Sequence, residues 1–211
     1  MKHVYVGILL AGFAATSADG AVIGVNNAIL ISPPANVGLG SGPGGSGQFA
    51  KVWNEQQGVS ISSLMVDMIG NPTNSYVATT GAVTGTVDSH MIHHTPGWIN
   101  STSLVGSVTF DGPIVGVIFS FQRLNQTDAI FAPTGTTYST ANIRGFTPFV
   151  SGAFVNGNTL NFDLFRSQFP LADYDQLRVL TQSVPSVGTT APLVLAGMMG
   201  AVRRRQTVKA G

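Results

Sequence analysis

The chain has 211 residues, of which only 9% are charged, and it contains no cysteine. An average globular protein has about 25% charged residues. This composition excludes thiol catalysis, structural disulfides and cysteine-ligated zinc, and it is more typical of an exported β-protein than of a cytosolic enzyme. The body from Val22 to Ser186 is mildly acidic, and its five basic residues are scattered. We therefore expect no nucleic-acid partner, because that function needs a cationic patch.

Residues 1–21, MKHVYVGILLAGFAATSADGA, have the layout of a secretory signal peptide. Lys2 precedes an apolar stretch at residues 4–15, and small residues follow. This pattern predicts a short hydrophobic helix, export through the Sec pathway, and cleavage after Ala18 or at a bond nearer Gly20. The alternative is a buried N-terminal strand, since apolar residues alternate at the start of the stretch.

The other end of the chain reads VPSVGTTAPLVLAGMMGAVRRR, from Val184 to Arg205. Its uncharged part, Ala191 to Val202, predicts a second short hydrophobic helix. Extended back to Val184, this segment reaches the length of a thin membrane span. The arginines that follow supply the cationic stop of a cytoplasmic end. We therefore expect type I topology, with the body at the cell envelope or outside the cell.

This tail resembles the PEP-CTERM sorting signal, which combines a Val-Pro motif, a short hydrophobic helix and a terminal arginine cluster in exported bacterial proteins. The motif here is a Val-Pro-x-x-Gly-Thr variant, with Ser186 and Val187 at the positions where an acidic residue and a second proline are usual. The resemblance implies recognition by exosortase, an integral-membrane cysteine transpeptidase, in a host that makes exopolysaccharide or biofilm matrix. The sorting residues that it implies are Val184, Pro185, Gly188, Thr189, Arg203, Arg204 and Arg205.

The predicted organisation is a signal peptide at 1–21, a body at 22–183, a sorting tail at 184–206 and a basic extension at 207–211. Short apolar runs separated by Gly, Pro, Asn or Ser predict that the body is all-β, a jelly-roll-like β-sandwich. The clearest strands are LVGSVTF, PIVGVIFS, TLNFDLF and QLRVLT.

Alternation in TLNFDLF places Leu160, Phe162 and Leu164 on one side, which predicts a sheet with one solvated face. Asn156-Gly157 between apolar flanks predicts a hairpin turn, and FDGP at residues 110–113 similarly joins two strands. Helix is expected only around Leu124–Phe131 and near Phe49–Gln56.

The segment SHMIHH offers His90, His93 and His94 as candidate metal ligands. On a strand, His90 and His94 share a face while His93 points away, so a third ligand from another strand would be needed, for which Asp88 and Asp111 are candidates. We favour the alternative, an exposed or partly buried polar strand end before a turn at residues 95–97. No metal or cofactor is therefore expected.

Two further groups of residues have possible binding roles. Asp173 and Asp175 could bind calcium or act as a glycosidase pair, although a solvated turn before the last strand is the favoured interpretation. Trp53, Trp98 and Tyr76 could form a sugar-stacking platform, but aromatic residues on strands more often belong to the core.

The glycine-rich segment GLGSGPGGSG contains a Gly-x-Gly-x-x-Gly pattern at Gly40, Gly42 and Gly45. A dinucleotide site needs a helix immediately after this pattern. Pro43 and the absence of a downstream amphipathic helix indicate a flexible loop instead.

The sequence thus predicts an exported, non-enzymatic protein with a structural or binding role at the bacterial surface or in the extracellular matrix. Its expected partners are an exosortase-type transpeptidase, the membrane and extracellular polysaccharide. Two alternatives remain open. One is a secreted polysaccharide-active enzyme or carbohydrate-binding module, and the other is a membrane-tethered surface protein whose tail is never cut.

Overall fold

A computed structural model describes residues 20–38, 49–69, 79–95, 103–142, 144–145, 152–164 and 174–184. The chain divides into two units, and all of these residues belong to one of them, Asp19–Val184. Within the described ranges, no helix has both the length and the apolar character needed to span a bilayer. The two predicted terminal helices, at 1–21 and in the 184–206 tail, lie outside the described residues.

Strands dominate the described part of the chain, and a single helix occurs in it. In chain order the elements are β1 (Val22–Asn26), β2 (Ala28–Leu30), β3 (Asn36–Val37), β4 (Ala50–Asn54), β5 (Val59–Val66), β6 (Gly81–His94), β7 (Leu104–Phe110), β8 (Ile114–Ile118), α1 (Phe121–Phe131), β9 (Thr137–Tyr138), β10 (Arg144–Gly145), β11 (Gly152–Asn156), β12 (Thr159–Leu164) and β13 (Tyr174–Gln182).

Two large sheets are built from these strands. The smaller one has four antiparallel strands in the order β1-β7-β12-β11. The larger one has seven strands, with β10-β13-β6-β4-β2 along its main path, β5 paired to β6 and β8 paired to β13. A separate parallel pair joins β3 to β9.

The two sheets pack face to face, and the first apolar core lies between them. Val108, Phe110 and Phe162 of the smaller sheet meet Ile92 and Val179 of the larger sheet in this core. The predicted all-β sandwich is therefore confirmed.

A second apolar core lies on the opposite face of the larger sheet. Trp53 and Met91 on that face pack with Leu124 and Phe131 of α1 and with Tyr138 of β9. The larger sheet is thus covered on both sides, which explains why almost all of β13 and the second half of β6 are buried.

Each of the four strands predicted most clearly is confirmed, as β7, β8, β12 and the centre of β13. In β12, Leu160, Phe162 and Leu164 are buried and the residues between them are partly exposed, as the alternation predicted. The helix expected at Leu124–Phe131 is also confirmed, and it begins one turn earlier at Phe121.

Three local predictions need correction. The segment Phe49–Gln56 is not helical but contains β4, because Val52 and Trp53 are buried in different cores on the two faces of the sheet. The hairpin turn between β11 and β12 lies one residue later than expected, at Gly157–Asn158, with the positive φ at Gly157 (+62°). FDGP does join β7 to β8, but the two strands belong to different sheets, so it is a crossing between layers rather than a hairpin.

Candidate functional site

The first candidate site is the sorting signal at the end of the body. Val184 follows β13 and is 40% exposed. The other sorting residues, Pro185, Gly188, Thr189, Arg203, Arg204 and Arg205, lie outside the described residues, so their predicted role stays a prediction.

The second candidate is the histidine segment, which forms the end of β6. His90, His93 and His94 are all buried, with at most 1% of each residue exposed. The expectation of an exposed or partly buried strand end was therefore wrong. The reason is the position of β6 inside the larger sheet, where β13 and β4 pair with its two edges and a core covers each face.

His90 faces the core between the two sheets, where its ring lies 4.6 Å from that of Phe110. Its Nδ1–H donates to Asn54 Oδ1 at 2.9 Å, and its Nε2 accepts from the Thr181 hydroxyl at 3.2 Å. Both ring nitrogens are thus satisfied in the neutral tautomer. Burial lowers the pKa of His90 from 6.5 to about 3.

His93 faces the opposite core and ends a chain of hydrogen bonds. The Gln176 amide group donates to His93 Nδ1 at 3.1 Å, which leaves Nε2–H to donate to the Thr95 hydroxyl at 2.9 Å. Burial, together with the charges of the neighbouring His94 and Arg144, lowers the pKa of His93 to about 3. If Nδ1 were protonated, its N–H would face the N–H of the Gln176 amide group, and the hydrogen bond between them would be lost.

The three histidines do not converge. His90 and His93 lie on opposite faces of the sheet, as the strand geometry predicted. His94 Nδ1 lies 3.7 Å from the Asp175 carboxylate. Of the two possible additional ligands, Asp88 is buried and Asp111 is exposed. In the described ranges no three potential metal-ligating side chains come together.

The acidic pair before the last strand also differs from expectation. Asp175 is not in a solvated turn but in β13, where it is 8% exposed and pairs with His94 across the strand register. Asp173 lies outside the described residues. The calcium and glycosidase hypotheses both needed an accessible pair, and burial of Asp175 argues against them.

The most highly charged cluster in the described chain is one that we did not predict. It consists of Glu55, Asp128, Arg144 and Arg178, which we call the buried charge network. Both Arg178 and Glu55 have no side-chain exposure, and they form a two-pronged ion pair with N–O distances of 2.6 and 2.8 Å. Arg178 also donates to Asp128 at 2.9 Å.

Electrostatics decides the charge state of Arg178. Burial by itself would lower the pKa of this guanidinium, but the Glu55 carboxylate, its hydrogen bonds and Asp128 together raise the pKa above its ordinary value. Arg178 is therefore charged at every physiological pH. The pairing offsets the cost of burying it.

Arg144 completes the network from β10. Its guanidinium contacts both Asp128 oxygens, at 2.5 and 2.8 Å, and its Nε–H donates to Gln176 Oε1. It also lies 4.8 Å from the centre of the Tyr138 ring, in a cation–π contact. Because Gln176 in turn donates to His93, the network is continuous with the histidine strand.

Tyr138 and Trp53 extend the hydrogen bonds of the network into the second core. The Tyr138 hydroxyl donates to Glu55 at 2.5 Å and accepts from Trp53 Nε1–H at 3.1 Å. Burial and the Glu55 carboxylate both raise the pKa of Tyr138, so it stays neutral. Trp53 has no exposure, which places it in the core rather than in a sugar-stacking platform. Trp98 and Tyr76 lie outside the described residues.

A separate carboxylate fixes the start of the helix. Asp67 follows β5 and accepts hydrogen bonds from the Phe119 and Ser120 backbone N–H groups at 2.8 and 2.7 Å. It also pairs with Arg123 in the first turn of α1. A negative charge at this position satisfies free N–H groups and complements the helix dipole.

Taken together, these contacts hold α1 on the larger sheet. Two guanidinium groups balance two carboxylates, and every member of the network is bonded to other protein groups. Glu55, Arg144 and Arg178 have no side-chain exposure and Asp128 is 19% exposed, so the network positions elements of the fold. One signal in the sequence could have revealed it, because Arg178 lies between Leu177 and Val179 in β13 and a charge among apolar residues of a buried strand needs a partner.

Comparison of the chain with protein-family models, with curated proteins and with solved structures gives no match.

Proposed function

We propose that this protein is an exported, non-enzymatic component of the bacterial cell surface or extracellular matrix. In this proposal a signal peptide directs its export, and a PEP-CTERM-like tail anchors it transiently until an exosortase-type transpeptidase acts. The observation that carries the proposal is the agreement between the strand boundaries and the predicted terminal segments. Of the described strands, the first, β1, begins at Val22. The last described strand, β13, ends at Gln182, two residues before the predicted tail begins at Val184.

The end of β13 supports a tail that can be separated from the body. At the end of β13, the Gln182 N–H donates to the Pro113 carbonyl at 2.9 Å and the Ser183 N–H donates to the Thr86 carbonyl at 3.1 Å. Val184 is then exposed. Cleavage at a bond beyond Val184 would remove no strand of either described sheet.

The sequence of the tail supports a transient membrane anchor. Residues 184–202 carry no charged side chain, and three arginines follow. A segment of this length crosses a bilayer only with some thinning, and glycine is well tolerated inside membranes. The arginine cluster would remain on the cytoplasmic side and stop translocation.

The interior of the body supports a structural or binding role. Arg144, Arg178 and Glu55 are buried and mutually bonded, so they contribute to the shape of the fold instead of contacting a substrate. His90 and His93 are held in neutral form by burial. Extracellular polysaccharide remains the proposed partner, consistent with the matrix that the resemblance implies.

Fractionation of the producing bacterium tests the sorting step. We expect the wild-type protein to be released from the membrane after tail removal. A variant with Arg203, Arg204 and Arg205 changed to Gln should lose the stop signal and fail to be processed. The matched control is Lys209→Gln, which removes a nearby positive charge outside the cluster and should be processed normally. Equal processing of both variants would contradict the sorting proposal.

A further inference from the structure

The buried carboxylate of Asp88 contacts residues near both ends of the body, Gly20 and Ser183. Asp88, in β6, is 1% exposed. Its Oδ1 accepts two hydrogen bonds of 2.6 Å, one from the Gly58 backbone N–H and one from the Ser183 hydroxyl. Its Oδ2 is equally buried, and within the described part of the chain it has no hydrogen-bond partner. A buried carboxylate that is satisfied on one oxygen only is energetically costly.

The backbone of Gly20 lies directly against this carboxylate. Gly20 is buried, and a β-carbon added to it would lie 2.6 Å from Asp88 Cγ and 2.7 Å from Asp88 Cβ, which leaves no room for a side chain. The next residue is held in place, because the Ala21 carbonyl accepts from Asp111 N–H at 3.0 Å. Val22 then pairs with Phe110 at the start of β1. This segment is thus fixed beside Asp88 Oδ2.

The position of Gly20 coincides with the predicted end of the signal peptide, at Ala18 or a bond nearer Gly20. Hydrolysis by signal peptidase consumes one water, leaving a carboxylate on the released peptide and an α-ammonium group on the mature chain. Consecutive Cα atoms are about 3.8 Å apart, so a new terminus at any of these bonds lies within about one residue of Gly20. In the precursor the same nitrogen is an uncharged amide.

We propose that Asp88 is the binding site for the α-ammonium group of the mature chain, which signal-peptide removal creates. This inference rests on the proposed export of the protein. The new cation supplies the partner that Oδ2 lacks. Because Asp88 also binds Ser183 after β13, the ion pair ties the first strand of the body to its last strand. The mature body is then more stable than its precursor.

Thermal unfolding of four proteins tests this coupling. They are the processed wild type, the processed Asp88→Asn variant, and the precursors of both, collected while signal peptidase is inhibited. We expect Asp88→Asn to lower the Tm of the processed protein by about 5–10 °C and to change that of the precursor by less than about 2 °C. Asp111→Asn, an exposed carboxylate near the same terminus, is the matched control and should leave both Tm values within about 2 °C. Equal losses in processed and precursor forms would overturn the proposal.

A second measurement uses only the wild-type protein, so it tests the Asp88 site even if the Asp88→Asn variant does not fold. The α-amine of the processed wild type is acetylated under native conditions and in urea, and mass spectrometry gives both rates. We expect acetylation to be at least 10-fold slower in the folded protein, and equal rates would overturn the inference. The mass of the purified protein separates the two proposals. A processed terminus with a reactive amine refutes the Asp88 site alone, whereas retention of residues 1–18 refutes both signal-peptide removal and the site that depends on it.

Discussion

Mild acid should destabilise the folded body through His90 and His93. Both are buried as neutral side chains with pKa values of about 3, against 6.5 for an ordinary histidine. Below pH 6.5 the unfolded chain takes up protons at these residues that the folded chain does not bind. The free energy of unfolding therefore falls as the pH decreases from about 6.5 towards 3, and it is independent of these residues above pH 7.5.

The expected size of this effect follows from the two pKa values. At pH 5 an unfolded histidine is almost fully protonated, and the linkage relation gives a loss of roughly 2 kcal/mol for each residue, or about 4 kcal/mol for the pair. Most carboxylates titrate at lower pH, so the interval from pH 7.5 to pH 5 isolates the histidines.

Urea unfolding followed by circular dichroism at pH 7.5, 6 and 5 measures the loss. His90→Gln and His93→Gln should each remove about half of the pH dependence, even where they lower stability at pH 7.5, because each removes one titrating group. A free energy of unfolding that is the same at pH 7.5 and pH 5 would refute the reasoning. So would a loss of about 4 kcal/mol that persists in the double variant.

Three substitutions and one control substitution test other parts of the fold, each by urea unfolding at pH 7.5. Arg178→Met should cost about 3–5 kcal/mol because it leaves the buried Glu55 carboxylate without its two-pronged partner, and a loss below about 1 kcal/mol would contradict this. Gly106→Ala should cost about 1–3 kcal/mol, since its β-carbon would lie 2.5 Å from the Asn26 carbonyl oxygen. Gly24→Ala is its control and should stay within about 0.5 kcal/mol, because the nearest atom is 3.5 Å away. Asp67→Ala should lower the free energy of unfolding by about 1–3 kcal/mol, because the N–H groups before α1 lose their acceptor. An unchanged urea midpoint would contradict this and show that water replaces the carboxylate.

Two strands of the smaller sheet, β7 and β12, could be predicted from the sequence because that sheet has one partly solvated face. In β12 the alternation of Leu160, Phe162 and Leu164 with polar residues has period two, and the burial follows it. In the larger sheet, β4, β13 and the second half of β6 give no such pattern, since both faces are covered there. For this reason β4, with Val52 and Trp53 buried side by side, could not be distinguished from a helix.

The buried polar residues could not be placed from local pattern alone. His90, His93 and His94 form a polar segment that is typical of a surface, and only the position of β6 between β4 and β13 explains their burial. The charge network joins Glu55 to Arg178, residues 123 positions apart in the chain, so no local spacing reveals the pair. The available signal was the charge of Arg178 among the apolar residues Leu177, Val179 and Leu180 of β13.

The intact mass of the mature protein, purified from the bacterium that makes it, tests the central claim most directly. The proposed function predicts a chain that begins between Asp19 and Val22 and that has lost the segment from Ala191 to Gly211. A mass that retains this C-terminal segment would contradict sorting and leave an uncleaved membrane anchor, and one that also retains residues 1–18 would contradict removal of a signal peptide.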